Sequence, residues 1–509
     1  MIDDKIKVLA KQTTLYAINN ILIQGCSYIV LLLQINVLTP SEYGRVTECY
    51  GTYIAFLGIP YLLSMDLAYF RFVHQLGKVA TFSSILTILC MTSLFVSTVM
   101  LFFLPKIAQI THYETHIHYF YYIIGIVILD TFLVIPYATL RAEQRLYKLT
   151  GIKLVQAGTT ILCSFLLLYH SSCLRYIAYL VDCFFHKVVQ LNALDGVFIS
   201  SIVANLTALM LLLPTFKTIR LSWDRAVMRR ILAYAAPAFF SILLLRLNEI
   251  LPRSLFRLLI PDDFYVNYTK EEMLGNLGIS YKLTLVATLA IKAFQHAAEP
   301  FFFAHSKSKD AKNLYSQTMY IFICVASVGL LLFSLNIEWI TKLFIRNPLY
   351  HHTIDTIPYL TCIPIILGIY YNLSVSFKLT HKTVYNSLIS GCGSIVVGGL
   401  SFLLLPIYGH WGCVYASLIG STTMALLGYF FAQKCYPIPY RKHGFLLFLA
   451  SFLLIDKVFN LPKQITFLPV VWRYVVLNLL MMGIILLIAI IWHRVTFASF
   501  FQKNRLKSL

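Results

Sequence analysis

Apolar runs about twenty residues long recur from one end of this chain to the other, with only short polar stretches between them. A helix of that length crosses a hydrocarbon core of about 30 Å. Inside that core every backbone N–H and C=O must be satisfied within the segment itself, which leaves α-helices as the economical solution. The runs therefore predict an all-α, polytopic membrane protein. Composition agrees: the 509 residues are 59% hydrophobic and only 12% charged, against about 25% charge in an ordinary soluble domain. No polar stretch is long enough to form a separate soluble domain.

Hydropathy predicts about 14 transmembrane helices. Six run Thr13–Gln34, Cys49–Phe70, Thr81–Leu104, Phe120–Leu140, Gly151–Tyr169 and Val197–Leu213. Six more run Ile231–Pro252, Asn276–Ala297, Tyr315–Leu335, Ile357–Val375, Tyr385–Leu405 and Trp411–Phe431. The last two are a short span at Gly444–Leu454 with its flanks, and Val470–Trp492. An internal repeat divides them. "LTPSEYGRVTECYGTYIAFLGIP" follows the first span and "LLIPDDFYVNYTKEEMLGNLGISYKLTLVAT" the seventh. Both read Leu-x-Pro, acidic residues, an aromatic residue, then Gly and another helix. Two six-helix lobes related by a pseudo-two-fold axis along the membrane normal follow, over residues 1–220 and 221–437. Residues 438–509 then hold two extra helices and a basic tail.

Lys and Arg set the orientation. With the N-terminus in the cytoplasm, the inward stretches collect Arg141, Arg145, Lys148 and Lys153, then Lys217, Arg220, Arg225, Arg229 and Arg230, then Lys434, Arg441 and Lys442. An even number of spans places both termini inside. Lys457, Lys463 and Arg473 run against the pattern. The net charge of +20 is thus mainly a topology signal. Cations dispersed among short loops beside anionic lipid argue against nucleic acid as a partner. The run from Leu15 follows Lys5, Lys7 and Lys11 but lacks a small-residue cleavage site, and reads as a retained first helix.

The eleven cysteines form no CxxC pair and no metal-ligand spacing. Cys173 and Cys183 share one outward loop, where a disulfide is open to them. Apolar residues from Leu174 to Val189 recur at helical spacing there, as in a helix lying on the outer interface or packed in the loop. No GxxxxGK[ST], HExxH or GxSxG is present, and no cofactor is expected.

Charge inside the spans is the functional signal. Arg246, Glu249 and Arg253 are spaced three and four residues apart, which puts them on one face of the seventh helix. An arginine at a helix centre costs roughly 2.5–3.5 kcal/mol on insertion scales, so such residues face a cavity or a partner. Two cations flanking one anion suit an anionic head group. Lys282 and Lys292 lie in the eighth span. Asp66 and Arg71 close the second span and read as an inner gate or an ion pair. Asp130 stands alone in an apolar run. Lys292, His296 and Glu299 share a face near the inner end of the eighth span. Asn372 and Lys378 follow the tenth.

Several segments resemble a known family. "KQTTLYAINNILIQGCSYIVLLLQINVLTPSEYG" resembles the first helix and loop of bacterial polysaccharide exporters of the Wzx type. "YKLTLVATLAIKAFQHAAEPFFFA", "LGIYYNLSVSFKLTHKTVYNSLISGCG", "LPIYGHWGCVYASL" and "YPIPY" are similar to the C-terminal half of lipopolysaccharide-biosynthesis flippases, within the multidrug/oligosaccharidyl-lipid/polysaccharide exporter superfamily. The span count is similar to that of lipid II flippases, which also add two helices.

The resemblance implies a two-lobe transporter of the bacterial inner membrane. Such a protein moves an undecaprenyl-diphosphate-linked sugar to the outer leaflet, with the bilayer and a polysaccharide polymerase or ligase as candidate partners. On that reading Arg246 and Lys282, about 9 Å below the outer helix ends, and Arg253, near the rim, bind the diphosphate. Glu249, Asp66 and Asp130 couple the cycle or form ion pairs. Arg71, Asn372 and Lys378 gate the opening or touch sugar. The chain departs from lipid II flippases in the first span, which offers Gln24 and Gln34 but no Arg or Lys, with Arg45 only in the following loop. It departs from multidrug exporters in having no acid there. A membrane-embedded glycan-processing enzyme would need an acidic or basic pair on a large outward loop. The candidate is Pro261 to Gly275, with Asp262, Asp263, Glu271 and Glu272.

Overall fold

The computed structural model describes residues 22–169, 192–216, 223–304, 310–380, 382, 384–465 and 469–483. The Cys173–Cys183 pair, the surface helix over 174–189 and the basic tail lie outside these residues. All regular structure among them is helical. The helices are α1 (Leu22–Val37), α2 (Pro40–Leu76), α3 (Lys78–Ile110), α4 (His118–Ala142) and α5 (Leu146–Tyr169). There follow α6 (Ala193–Leu212), α7 (Arg225–Leu259), α8 (Lys270–Ala304), α9 (Ala311–Phe344) and α10 (Ile357–Leu379). Last come α11 (Val384–Tyr408), α12 (His410–Cys435), α13 (Lys442–Leu453), α14 (Ile455–Gln464) and α15 (Val470–Gly483). In chain order α1 to α12 fall on the first twelve expected spans. The pair α13–α14, bent by 42°, falls on the thirteenth, and α15 on the last.

Several helices outrun their apolar stretch. The α7 helix continues through Pro252 to Leu259, α2 begins at Pro40, and α5 begins at Leu146. Hydropathy stops at charges, whereas a helix continues wherever those charges find partners. One consequence is a greater distance from the helix ends. Arg246 lies thirteen residues from the C-terminal end of α7 and Lys282 twelve from the start of α8. At 1.5 Å per residue that is roughly 20 and 18 Å, where the expected spans gave about 9 Å.

Helices α3 to α6 pack on one another, and so do α7, α8, α10, α11 and α12; α13 and α14 lie against α9. Lys463 on α14 pairs with Glu338 at 3.3 Å, which accounts for one basic residue on the outward side. The two groups meet most extensively where α2 and α8 begin. Both helices start with the same reciprocal cap. Thr39 N–H donates to Glu42 (2.8 Å) and Thr269 N–H to Glu272 (2.8 Å), while each Thr hydroxyl accepts from its Glu amide. The caps Thr39–Glu42 and Thr269–Glu272 share one spacing, which the match on proline did not use.

Glycine makes the contact between α2 and α8 close. A Cβ at Gly44 would stand 1.9 Å from the Glu271 carbonyl oxygen, and one at Gly275 2.2 Å from that of Pro40. Tyr350 donates to the Leu38 carbonyl at 2.7 Å and Tyr28 to that of Lys282 at 2.6 Å, adding ties across the same junction. Gly275→Ala should therefore part the outer ends. The expected result is a lower melting temperature in detergent than for Gly399→Ala, where a Cβ meets open space; equal melting would mean the contact is dispensable.

A cationic cavity between the helix groups

A cavity of about 730 Å³ lies between the two groups, walled by α1, α2, α4, α5, α6, α7 and α8. Among the described residues three cations line it, Lys153, Arg253 and Lys282, and no carboxylate does. The Lys282 ammonium stands 5.6 Å from the centroid of the Tyr43 ring, and that of Lys153 5.4 Å from Tyr137. The Arg253 guanidinium lies 4.5 Å over Tyr281 and donates to the Glu249 carbonyl at 3.3 Å, while its Nε has no partner. Gln34, only 5% exposed, lines the same space with its Oε1 unpaired.

A second cavity, of about 550 Å³, shares Tyr50, Gly51 and Arg253 with the first. It holds Asp66, Arg246 and Glu249. Arg246 Nη1 donates to Glu249 Oε2 at 3.1 Å. The helical face deduced from spacing thus does line a cavity. Its two arginines sit in different surroundings, one paired with a carboxylate and one without.

The other residues singled out in the sequence are placed as follows. Arg71 does not pair with Asp66; its guanidinium lies 4.2 Å over Tyr234 of α7. Asp130 accepts from Asn205 (2.7 Å), which accepts from Gln156 (2.8 Å), which accepts from Tyr137 (2.9 Å). That chain ends at the wall of the larger cavity, so Asp130 is not solitary. Asn372 is buried, donates to its own helix at the Gly368 carbonyl (3.0 Å), and lines neither cavity. Lys378 sits in the last turn of α10, also away from both. Lys292 is exposed on α8, and the side chains of His296 and Glu299 lie outside the described residues. The loop acids are engaged elsewhere. Lys270 grips Asp262 at 2.7 Å and holds its carboxyl below the usual range, Glu271 pairs with Arg257, and Glu272 serves the cap. Among the described residues no group of His, Cys, Asp and Glu could hold a metal ion.

Three polar residues escaped the sequence reading. Lys153 counted as a loop cation, yet α5 starts a turn earlier and carries it into the cavity. Glu48 and Arg257 lay just beyond the expected span ends. Arg257 was legible as the next step, four residues on, in the row 246, 249, 253. It joins the two groups. Its Nη1 donates to Glu48 at 3.3 Å and its Nη2 pairs with Glu271 at 3.2 Å. Tyr53 and Tyr113 also donate to Glu48, at 2.7 and 2.8 Å. Arg45, inside α2 rather than in a loop, meets His116 at 2.9 Å. Glu48 is 5% exposed and Glu271 23%. Removing one partner of a buried pair costs about 3–5 kcal/mol, an exposed pair roughly 0–1. In heat denaturation, Arg257→Met should therefore lower the melting temperature far more than Glu271→Gln. Equal small shifts would show that Glu48 does not need the arginine.

No family model and no curated protein matches the chain. Solved structures do. One is an inward-facing multidrug resistance MATE family transporter of the MOP superfamily, with TM-score 0.62, 12% identity, and coverage of 88% of this chain and 99% of that one. Another is the lipid II flippase MurJ in an inward closed conformation, with TM-score 0.66, 12% identity, and coverage of 93% and 98%. A third is MATE in complex with MaL6, with TM-score 0.54, 14% identity, and coverage of 89% and 96%. The likeness is one of fold over nearly the whole chain: this is a multi-pass membrane protein with the helical architecture of these transporters.

Proposed function

We propose that this protein is a flippase. It moves an undecaprenyl-diphosphate-linked oligosaccharide from the cytoplasmic to the outer leaflet of a bacterial inner membrane, by alternating access, for surface polysaccharide assembly. The observation that carries this reading is the larger cavity's uncompensated charge: Lys153, Arg253 and Lys282 with no carboxylate among them. Like charges gathered in one half-buried cavity repel one another, and an anionic ligand relieves that repulsion. Arg253 offers a planar fork to phosphate oxygens, and the two lysines add point charges. Gln34 and Gln156 offer hydrogen bonds to hydroxyl groups. The packed outer end fits a state that takes its cargo from the inner side.

The lipid tail needs a separate place. A groove of about 960 Å³ between α10, α12 and α13 is lined almost wholly by apolar side chains, with Lys442 at its inner rim. It suits a hydrocarbon chain. Driving force is available without an ion, since one negative charge moving outward gains about 2.3 kcal/mol per 100 mV. A cationic drug, by contrast, would meet three cations in the cavity. Lipid II remains the alternative cargo of the same chemistry.

The test is lipid mass spectrometry on cells depleted of the protein, with leaflet-side labelling of polyprenyl-linked sugars. One such lipid should accumulate on the cytoplasmic leaflet, and its sugar names the cargo. Lys153→Ala/Lys282→Ala should behave like depletion while remaining in the membrane at native level, and Arg246→Ala should be impaired. Normal labelling with the double variant at native level would rule out the anion site.

A further inference from the structure

The turn between α3 and α4 is tied to the α2–α8 junction at three points. Arg257 Nη2 donates to the His112 carbonyl at 3.4 Å, Tyr113 donates to Glu48 at 2.8 Å, and Arg45 Nη1 lies 2.9 Å from His116 Nε2. Arg257 and Glu48 are themselves members of the junction. Arg45 belongs to it by position. It follows Gly44, where the α2 backbone approaches Glu271, and stands one turn before Glu48. The turn therefore braces α2 and α7 together where the two helix groups meet.

The third tie admits one protonation state. A guanidinium has five N–H donors and no acceptor. His116 Nε2 must therefore accept from Arg45, and the ring is neutral with its proton on Nδ1. A second proton would remove the hydrogen bond and set a cation against Arg45. The ring has little freedom to turn away, because it stacks on Tyr119 of α4 with centroids 5.3 Å apart and planes 15° from parallel.

Among the described residues the charged and titratable groups acting on His116 are Arg45 of α2, His118 of α4, Asp195 of α6 and Arg257 of α7. The one carboxylate among them is engaged elsewhere. Asp195 stands 3.2 Å from His118 Nε2 and accepts from the Asn192 amide at 2.7 Å. Burial first, then Arg45 and His118, hold the His116 imidazole below its ordinary value, against the pull of Asp195. A ring freed from this place titrates near about 6.5. The attached turn is thus favoured in full above that pH and loses its advantage as the pH falls below it. We propose that this turn is a pH-sensitive latch on the junction: neutral His116 holds Arg45 and keeps the first turns of α2 and α8 together, and its protonation detaches the turn and loosens them.

The latch is tested without any lipid, so its fate is separate from that of the cargo. Amide hydrogen exchange of the purified full chain is read by mass spectrometry in peptides covering the first turns of α2 and α8. Wild type and variants are compared at one pH at a time, which cancels the intrinsic pH dependence of exchange. In His116→Gln the amide oxygen can still accept from Arg45 and never gains a proton. The two proteins should exchange alike at pH 7.5, and at pH 5.5 the wild type should exchange at least threefold faster. His116→Lys, a fixed cation, should exchange faster already at pH 7.5. Should His116→Gln fail to fold, Arg45→Gln decides, since without the guanidinium the acid response should vanish. His118→Gln, at the ring that faces Asp195, should keep the wild-type response. Equal exchange of wild type and His116→Gln at pH 5.5 would overturn the proposal, as it would if Glu48 or Glu271 were the titrating group. So would an acid response that persists in Arg45→Gln, or one that is lost in His118→Gln.

Discussion

The contact of α2 with α8 at their first turns is the constraint on which the remaining architecture depends. Two glycines let backbone meet backbone there, and only that approach brings Arg257 within reach of Glu48 on one side and Glu271 on the other. A buried ion pair is poor glue in itself, because desolvation offsets most of its Coulomb gain. It is specific, however. Once Glu48 is buried among Tyr53, Tyr113 and Arg257, sliding either helix leaves a charge unsatisfied. The junction therefore has one good register and no graded alternatives.

Beyond that junction the charge is divided unevenly. The smaller cavity balances Arg246 against Glu249 and also holds Asp66. Among the described residues the larger has cations alone, held against the faces of Tyr43, Tyr137 and Tyr281. A ring face steadies a cation without neutralising it. Aromatic rings thus leave the charge of these side chains uncancelled, as carboxylates in the same positions would not. The polar chain from Asp130 to Tyr137 has the complementary character: its hydrogen bonds run within the wall and orient Gln156 toward the cavity.

The helical fold was legible because a bilayer demands long apolar segments, and the order of the elements follows from that alone. The face bearing Arg246, Glu249 and Arg253 was legible because three- and four-residue spacing is geometry. What hydropathy hid was the polar residue at or just beyond the edge of an apolar run. Glu48, Lys153 and Arg257 all stand within a few residues of an expected boundary, and each meets a tertiary partner that no local window contains. The same blindness set Arg246 and Lys282 too close to the ends of their helices. Asn372, singled out from its sequence neighbourhood, has its amide donated to its own helix.

Below its junction with α8, α2 makes one π-helical stretch, Cys49–Ile54. Such a stretch stores one residue more than an α-helix needs for the same rise. Its relaxation to α geometry would turn everything above it by about 100° relative to everything below. Glu48 stands at its upper edge, and Tyr50 and Gly51, which border both cavities, lie within it. A single unit of helical slack is thus positioned to swing the junction's carboxylate away from Arg257 and reshape the cavity wall in the same movement, with no change in the helix below.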